Sequence, residues 1–364
     1  MQYVSLLIKP ASSLCNMKCR YCFYADVSEH REESSKGIMS DETVDKLIDR
    51  SLEQFTGDTC ITYAFQGGEP TCAGLPFFEK FVQKVEERKT TQTIQYALQT
   101  NGYLVDDTWA SFFKKHDFLI GVSLDGYAEN HDHFRICRDG SSSYSKVMKC
   151  IKTLRRHEVE HNILTVLTSR LSAHPDELYD FYKKNKMKYV QLIPCLPDLE
   201  HNDQEFALKP KEFFSFYDVF FNRWFDDYLK GEVMSVTLFD NLIPLFAGIP
   251  PQQCGYLGRC SRQCVIEGNG DVYPCDFYAV DGLKVGNICD SSMDELSRSP
   301  VYDVFLKQKR TKCKACEGCR YEGICHGQCK RLSVCYYDEE YCGYQEFIRK
   351  NERKLLYVAQ NIRG

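Results

Sequence analysis

Over the first 200 residues, short apolar runs of strand length alternate with longer stretches whose apolar positions recur at helical spacing. The runs are SLLIK, ITYAF, IQYALQ, FLIGVSLD, HNILTVLTS and YVQLIP. Amphipathic stretches at 41–55, 76–88, 107–115, 144–157 and 174–186 separate them, so each strand candidate but the last leads into a helix candidate. That order predicts an α/β fold of parallel βαβ units, a full or partial barrel. Ser40 with Asp41, and Asp106 with Asp107, supply the short polar side chains that open helices. The text turns polar from 197 to 209 (PDLEHNDQEFALK), and a helix rich in aromatic residues is expected from about Pro210 to Leu229. From Cys254 to Cys342 the periodicity stops and glycine and cysteine dominate, as expected of a segment organised by metal rather than by apolar burial. A charged helix closes the chain from Tyr344 to Ile362. The resulting division is a barrel over 1–200, a helical bridge over 201–253, a Cys-rich domain over 254–342 and a terminal helix over 343–364.

Composition changes this picture at one point. With 43% hydrophobic and 27% charged residues, the 364-residue chain is large enough to bury a full core, which excludes disorder and fibrous repeats. A net charge of -5 gives no reason to expect nucleic acid or an anionic membrane surface. No window reaches the roughly 20 apolar residues of a membrane span, and MQYVSLLIKPASS lacks the features of a secretory signal, so a cytoplasmic protein is expected. There are, however, 20 cysteines. In a cytoplasmic chain these read as metal ligands or catalytic groups before disulfides. Twelve lie in the last 111 residues, from Cys254 onward, while Cys15, Cys19 and Cys22 form a tight trio near the start.

The trio is C-x3-C-x2-C and follows the first strand candidate, where a barrel carries its chemistry. Three thiolates can hold three irons of a four-iron cluster and leave the fourth open to a ligand. A zinc site completed by His30 or His131 would use the same cysteines. With Tyr21 before its last cysteine, the segment resembles the signature of the radical S-adenosylmethionine (SAM) enzymes. The resemblance implies a partial (β/α)6 TIM-like barrel whose open iron chelates SAM, and reductive cleavage of SAM to a 5'-deoxyadenosyl radical. It extends to Gly67, Gly68, Glu69 and Pro70, which match the family's GGEP segment at the amino end of SAM, with glycine permitting close approach. Ser123 and Arg135 match positions that hold the ribose and the SAM carboxylate, and Leu196 an adenine contact.

In the distal block, Cys260-x9-Gly270-x4-Cys275 precedes Cys316-x2-Cys319-x5-Cys325-x3-Cys329 and then Cys342. This spacing resembles the SPASM domain of radical SAM enzymes that modify peptides or proteins. The resemblance implies two auxiliary [4Fe-4S] clusters, one on Cys254, Cys260, Cys275 and Cys329 and one on Cys316, Cys319, Cys325 and Cys342, making three with the SAM-binding cluster. Cys264, Cys313 and Cys335 lie close enough in sequence to replace a neighbour as ligand, and a pair of zinc ribbons would also use C-x2-C pairs. The Lys and Arg excess between Lys307 and Arg331 reads as a solvated face, or as one that receives an electron donor.

Asp276, directly after Cys275, narrows the reading further. The chain resembles, almost from end to end, the anaerobic sulfatase-maturating enzymes, in which the aspartate at this place is the base. The resemblance implies oxidation of a Cys or Ser in a sulfatase C/S-x-P/A-x-R motif to Cα-formylglycine, with electrons from flavodoxin or ferredoxin. Gln66, Tyr24 and Gln99 are further candidates to line the cavity. The alternative is another SPASM-type maturase that makes thioether or carbon–carbon crosslinks in a ribosomal peptide. Many of those carry an added N-terminal recognition domain, for which a first strand starting by about residue 5 leaves no room. A zinc protein that binds a partner without catalysis is the reading from another class; an iron or zinc content decides it.

Overall fold

The computed structural model describes residues 1–200, 204–308 and 313–362. His201–Asp203 of the polar stretch and Lys309–Lys312 of the basic run lie outside the described residues. Among the described residues ten strands occur in chain order: β1 (Gln2–Ile8), β2 (Thr59–Phe65), β3 (Thr93–Thr100), β4 (Phe118–Ser123), β5 (His161–Leu167), β6 (Tyr189–Pro194), β7 (Ser235–Val236), β8 (Cys264–Ile266), β9 (Asp271–Tyr273) and β10 (Gly286–Asn287). The chain divides into two compact units, one formed by 1–123, 132–161 and 262–308, the other by 124–131, 162–261 and 309–364.

In the first unit the strands run in the order β10-β9-β8-β1-β2-β3-β4. The strands β1 to β4 are parallel, with Gln2 opposite Thr59 and Ile8 opposite Phe65. Such sheets bury both faces under crossover helices, so their strands read as continuous apolar runs. The helices between β1 and β4 fall where the periodicity predicts them, at Asp41–Gln54, Leu75–Arg88 and Asp107–Lys115. Ser40 accepts from Thr43 N, and Asp106 accepts from Thr108 N and Trp109 N, which satisfies orphan amides of the first turn. Phe65 meets Phe78 and Phe81 edge-on, each with ring centroids 5.1 Å apart, and all three are buried. Edge-to-face contact of this kind adds to the area term.

Within the Cys-rich block, residues 262–308 also carry three short strands. Here β8 runs parallel to β1, pairing Leu6 with Cys264 and Ile8 with Ile266, and β9 and β10 follow antiparallel. Strands of two or three residues are too short to produce a periodic signal. Their effect on the site is large, because they carry Glu267 and Asp276 to the end of β1.

The second unit holds β5-β6-β7, all parallel. Its aromatic helix Pro210–Tyr228 buries Phe213, Phe216, Phe220 and Phe221, an apolar stripe at helical spacing, each ring contributing about 1.5–3 kcal/mol. This helix packs on the terminal helix Gly343–Ile362, with Phe221 and Phe347 centroids 5.6 Å apart and Lys350 paired with Asp218 at 2.8 Å. A Cβ on Gly343 would stand 2.0 Å from Pro210 O, so only glycine allows this approach. Among the described residues, no helix is long and apolar enough to cross a membrane.

Candidate active site

The three proximal cysteines lie on the loop between β1 and the helix Phe23–Glu29, which sequence periodicity did not reveal. The segment around residue 136 pins this loop. Lys18 N donates to Ile136 O, Arg20 N to Phe134 O, and Arg138 Nε to Cys15 O at 2.6 Å, while Met17 bridges Cys137. Tyr21 and Arg135 thereby come together, the guanidinium 5.6 Å from the ring centroid. Cys15, Cys19 and Cys22 are half-buried. Burial is the largest influence on Cys15 and pushes its thiol up to about 12, with the Glu69 carboxylate and the neighbouring thiols adding to it. Such a thiol gives up its proton to a metal rather than to water.

The GGEP segment supports the loop from the other side. Gly68 N donates to Ser12 O and Glu69 N to Leu14 O, both at 2.8 Å. A Cβ on Gly68 would lie 2.3 Å from Leu14 O, so glycine serves an approach of backbone to backbone. Glu69 is buried, and its carboxylate accepts from Thr71 N, Thr71 Oγ1, Thr100 Oγ1 and Asn101 N. Every one of these donors is neutral, and among the described residues no basic side chain pairs with Glu69. Burial raises its carboxyl above the usual range, with these hydrogen bonds opposing the rise. A buried carboxylate of this kind favours a cationic partner, and the amino group of SAM fits that need. Ser123 is buried at the end of β4. Leu196 belongs to the second unit, where it is buried.

Beyond β1 lies a buried cluster of charge. Lys9, fully buried, places Nζ 2.5 Å from Asp276 Oδ1 and 3.9 Å from Glu267 Oε1. It also stands 3.5 Å from the Tyr24 ring centroid. Arg31 pairs with Glu267 at 2.9 Å, and Tyr24 donates to Glu267 Oε1 at 2.5 Å. Gln66 Nε2 donates to Asp276 Oδ2 at 2.7 Å. Two cations thus meet two carboxylates, the balance that makes buried charge tolerable. Asp276 keeps some exposure, its side chain 18% accessible, as does half-buried Gln66, while Lys9, Arg31, Glu267 and Tyr24 are buried, so the buried members fix a carboxylate that remains partly accessible. Tyr24, pushed well above its ordinary value by burial and then by Glu267, remains a phenol that donates. It packs in the cluster, whereas Gln66 reaches Asp276 directly. Lys9, Arg31 and Glu267 escaped sequence reading because a buried ion pair has no signature until both partners are placed.

In the second unit burial raises the Cys254 thiol, with Cys329 and Cys260 adding to it; burial pushes Cys325 up to about 11 and Cys342 up to about 12, with Cys316 and Cys319 adding to the first and Cys325, Cys316 and Cys313 to the second. Cys275, the remaining member of the first set, lies in the first unit beside Asp276. Cys264 lies within β8, where burial pushes its thiol up to about 12, and Cys335 is buried with Sγ 3.4 Å from Cys195 O. Cys313 is buried beside the second set. Among the described residues, no three of His, Cys, Asp or Glu converge closely enough to share one metal ion. Cysteines that hold a cluster bind separate irons and need no such convergence.

Residues 10–182 match the Radical SAM superfamily and residues 254–320 the SPASM iron-sulfur cluster-binding domain. The chain is 38% identical to a cysteine-type anaerobic sulfatase-maturating enzyme of Clostridium novyi over 100% of this chain and 99% of the relative. It is 30% identical to a serine-type anaerobic sulfatase-maturating enzyme of Bacteroides thetaiotaomicron, over 90% of this chain and 82% of that one. The solved structure of native anSMEcpe with bound AdoMet and Kp18Cys peptide superposes with a TM-score of 0.91 at 37% identity, covering 99% of each chain. The protein is a radical SAM enzyme with a SPASM domain, and it belongs to the anaerobic sulfatase-maturating enzymes.

Proposed function

We propose that this enzyme oxidises one cysteine of a sulfatase polypeptide to Cα-formylglycine, with Asp276 accepting the thiol proton. The observation that carries the reading is the arrangement of Asp276, held at one oxygen by Lys9 and at the other by Gln66, and still partly accessible. A carboxylate clamped in this way cannot swing away from its substrate, and a positioned base of this type contributes about 10²–10⁴ in rate. Higher identity to the cysteine-type relative than to the serine-type one supports a thiol target.

Cys15, Cys19 and Cys22 hold the cluster that binds SAM; Glu69 receives its ammonium, Arg135 its carboxylate, Ser123 its ribose and Leu196 its adenine. Cys254, Cys260, Cys275 and Cys329 hold one auxiliary cluster, and Cys316, Cys319, Cys325 and Cys342 the other. When bound, these groups would supply the radical chemistry that takes a Cβ hydrogen and an acceptor for the substrate's remaining electron; with the thiol proton on Asp276 the substrate is left as a thioaldehyde, which water hydrolyses to the aldehyde with release of hydrogen sulfide. The chain's own part is placement and proton acceptance. Reductant from flavodoxin or ferredoxin, a C-x-P/A-x-R target motif and a cytoplasmic location complete the proposal.

Reduced enzyme and SAM, incubated anaerobically with paired sulfatase-derived peptides carrying Cys or Ser at the target, test it by mass spectrometry. Conversion of the Cys peptide to the aldehyde is expected. Crosslinked product without aldehyde would place the enzyme among the other peptide maturases.

A further inference from the structure

The terminal helix Gly343–Ile362 reads in sequence as a plain charged helix, yet its first turn delivers hydrogen-bond donors to the distal cysteines. Gln345 N donates to Cys342 Sγ at 3.3 Å. Its side-chain Nε2 donates to Cys319 Sγ at 3.0 Å and to Ala315 O at 3.1 Å. Gln345 therefore links two thiols that belong to different segments of chain. Gln328 differs: its Nε2 donates to Cys325 O at 3.1 Å and stands 4.0 Å from Cys325 Sγ, the limit for such a bond.

We propose that Gln345 is a positioning residue that sets the reduction potential of the cluster held by Cys316, Cys319, Cys325 and Cys342. The proposal rests on the ligand assignment made above. Reduction adds negative charge to the cluster and its thiolates, and an N–H aimed at sulfur stabilises that charge. The donor thereby raises the potential. Because the backbone donor to Cys342 survives any side-chain change, substitution isolates the Nε2 donor to Cys319. A primary amide does not titrate near neutrality, so its contribution is constant with pH. For an enzyme that must draw an electron from its substrate, a raised potential favours the forward direction.

The test is an anaerobic redox titration followed by electron paramagnetic resonance, on the full chain carrying Cys15→Ala, Cys19→Ala and Cys22→Ala so that only auxiliary signals remain. Gln345→Met keeps the length and removes the donor. One of the two waves is expected to shift so that the oxidised-to-reduced ratio at its original midpoint rises about tenfold, about 59 mV for one electron, while the other wave stays in place. Gln345→Glu, which adds a negative charge at the same point, is expected to shift the same wave further in the same direction. Iron-loaded variants with unmoved midpoints would overturn the role of Gln345, as would loss of this cluster in both variants, which marks a structural clamp. A background chain binding well under about eight irons would instead overturn the ligand assignment.

Discussion

The loop carrying Cys15, Cys19 and Cys22 is tied to residues 134–138 and to GGEP by backbone hydrogen bonds, so its shape is set by the surrounding sheet. Around Cys316 to Cys342 the chain instead forms turns of three or four residues, Lys314–Cys316, Glu322–Cys325 and Leu332–Cys335. Two hydrogen bonds to sulfur come there from Gln345. The contrast separates two uses of one residue type. A site that must keep a coordination position open is built on a scaffold that stands without metal, whereas a closed site can depend on its metal for order.

The largest effect expected from this contrast comes from removing each set of ligands. Cys15, Cys19 and Cys22 replaced together by Ala should abolish 5'-deoxyadenosine formation from SAM and leave amide protection in β1 to β4 intact. Cys316, Cys319, Cys325 and Cys342 replaced together by Ala should collapse protection across 313–342. Chromatography of the nucleoside and hydrogen exchange read by mass spectrometry check the two halves. Equal loss of protection in both variants would erase the distinction.

Next in size is Asp276→Asn, which separates making the radical from using it. The amide keeps the shape of the clamp between Lys9 and Gln66 but cannot take a thiol proton. Formylglycine yield should fall about 10²–10⁴-fold, with SAM cleavage continuing uncoupled. Parallel quantitation of aldehyde peptide and 5'-deoxyadenosine is the measurement, and an unchanged yield would remove Asp276 as base.

Much of this was open to sequence reading, for reasons particular residues make plain. Six strands and the helices after the first five announced themselves because each is long enough to show its period; Asp107–Lys115 matches its expected bounds, with Asp106 as its cap. The trio stood out by its spacing, and Asp276 was singled out through the resemblance to the sulfatase-maturating family. Hidden from such reading was the return of β8 to the edge of β1, which brings Glu267 beside Arg31 and Asp276 beside Lys9. In sequence Glu267 opens EGNGD, a surface turn by composition, and Lys9 ends an ordinary strand. Their burial depends on a pairing across more than half the chain, which local pattern does not encode.

The third effect probes that pairing. Lys9→Met removes a fully buried cation and leaves Asp276 with Gln66 alone, while Glu267 retains Arg31 and Tyr24. Breaking a buried pair from one side costs about 3–5 kcal/mol, and Asp276, with 18% of its side chain accessible, puts this case at the lower end. Anaerobic thermal unfolding of the iron-loaded chain should show a clear fall in Tm. An unaltered Tm would mean that water, rather than Lys9, balances the aspartate.

Ser40→Ala is the smallest change and tests whether the metal-independent scaffold behaves as its capping implies. Ser40 Oγ accepts from Thr43 N at 3.1 Å, closing the first turn of Asp41–Gln54, a helix whose buried side carries Val44, Leu47 and Ile48. Loss of an N-cap of this kind costs about 1 kcal/mol, and the helix remains anchored by its apolar face. Hydrogen exchange should therefore quicken in the first turn of this helix alone, leaving 313–342 and the iron content unchanged. Were the substitution to release iron, the sheet-bound half of the molecule would depend on its clusters as much as the cysteine-rich half does.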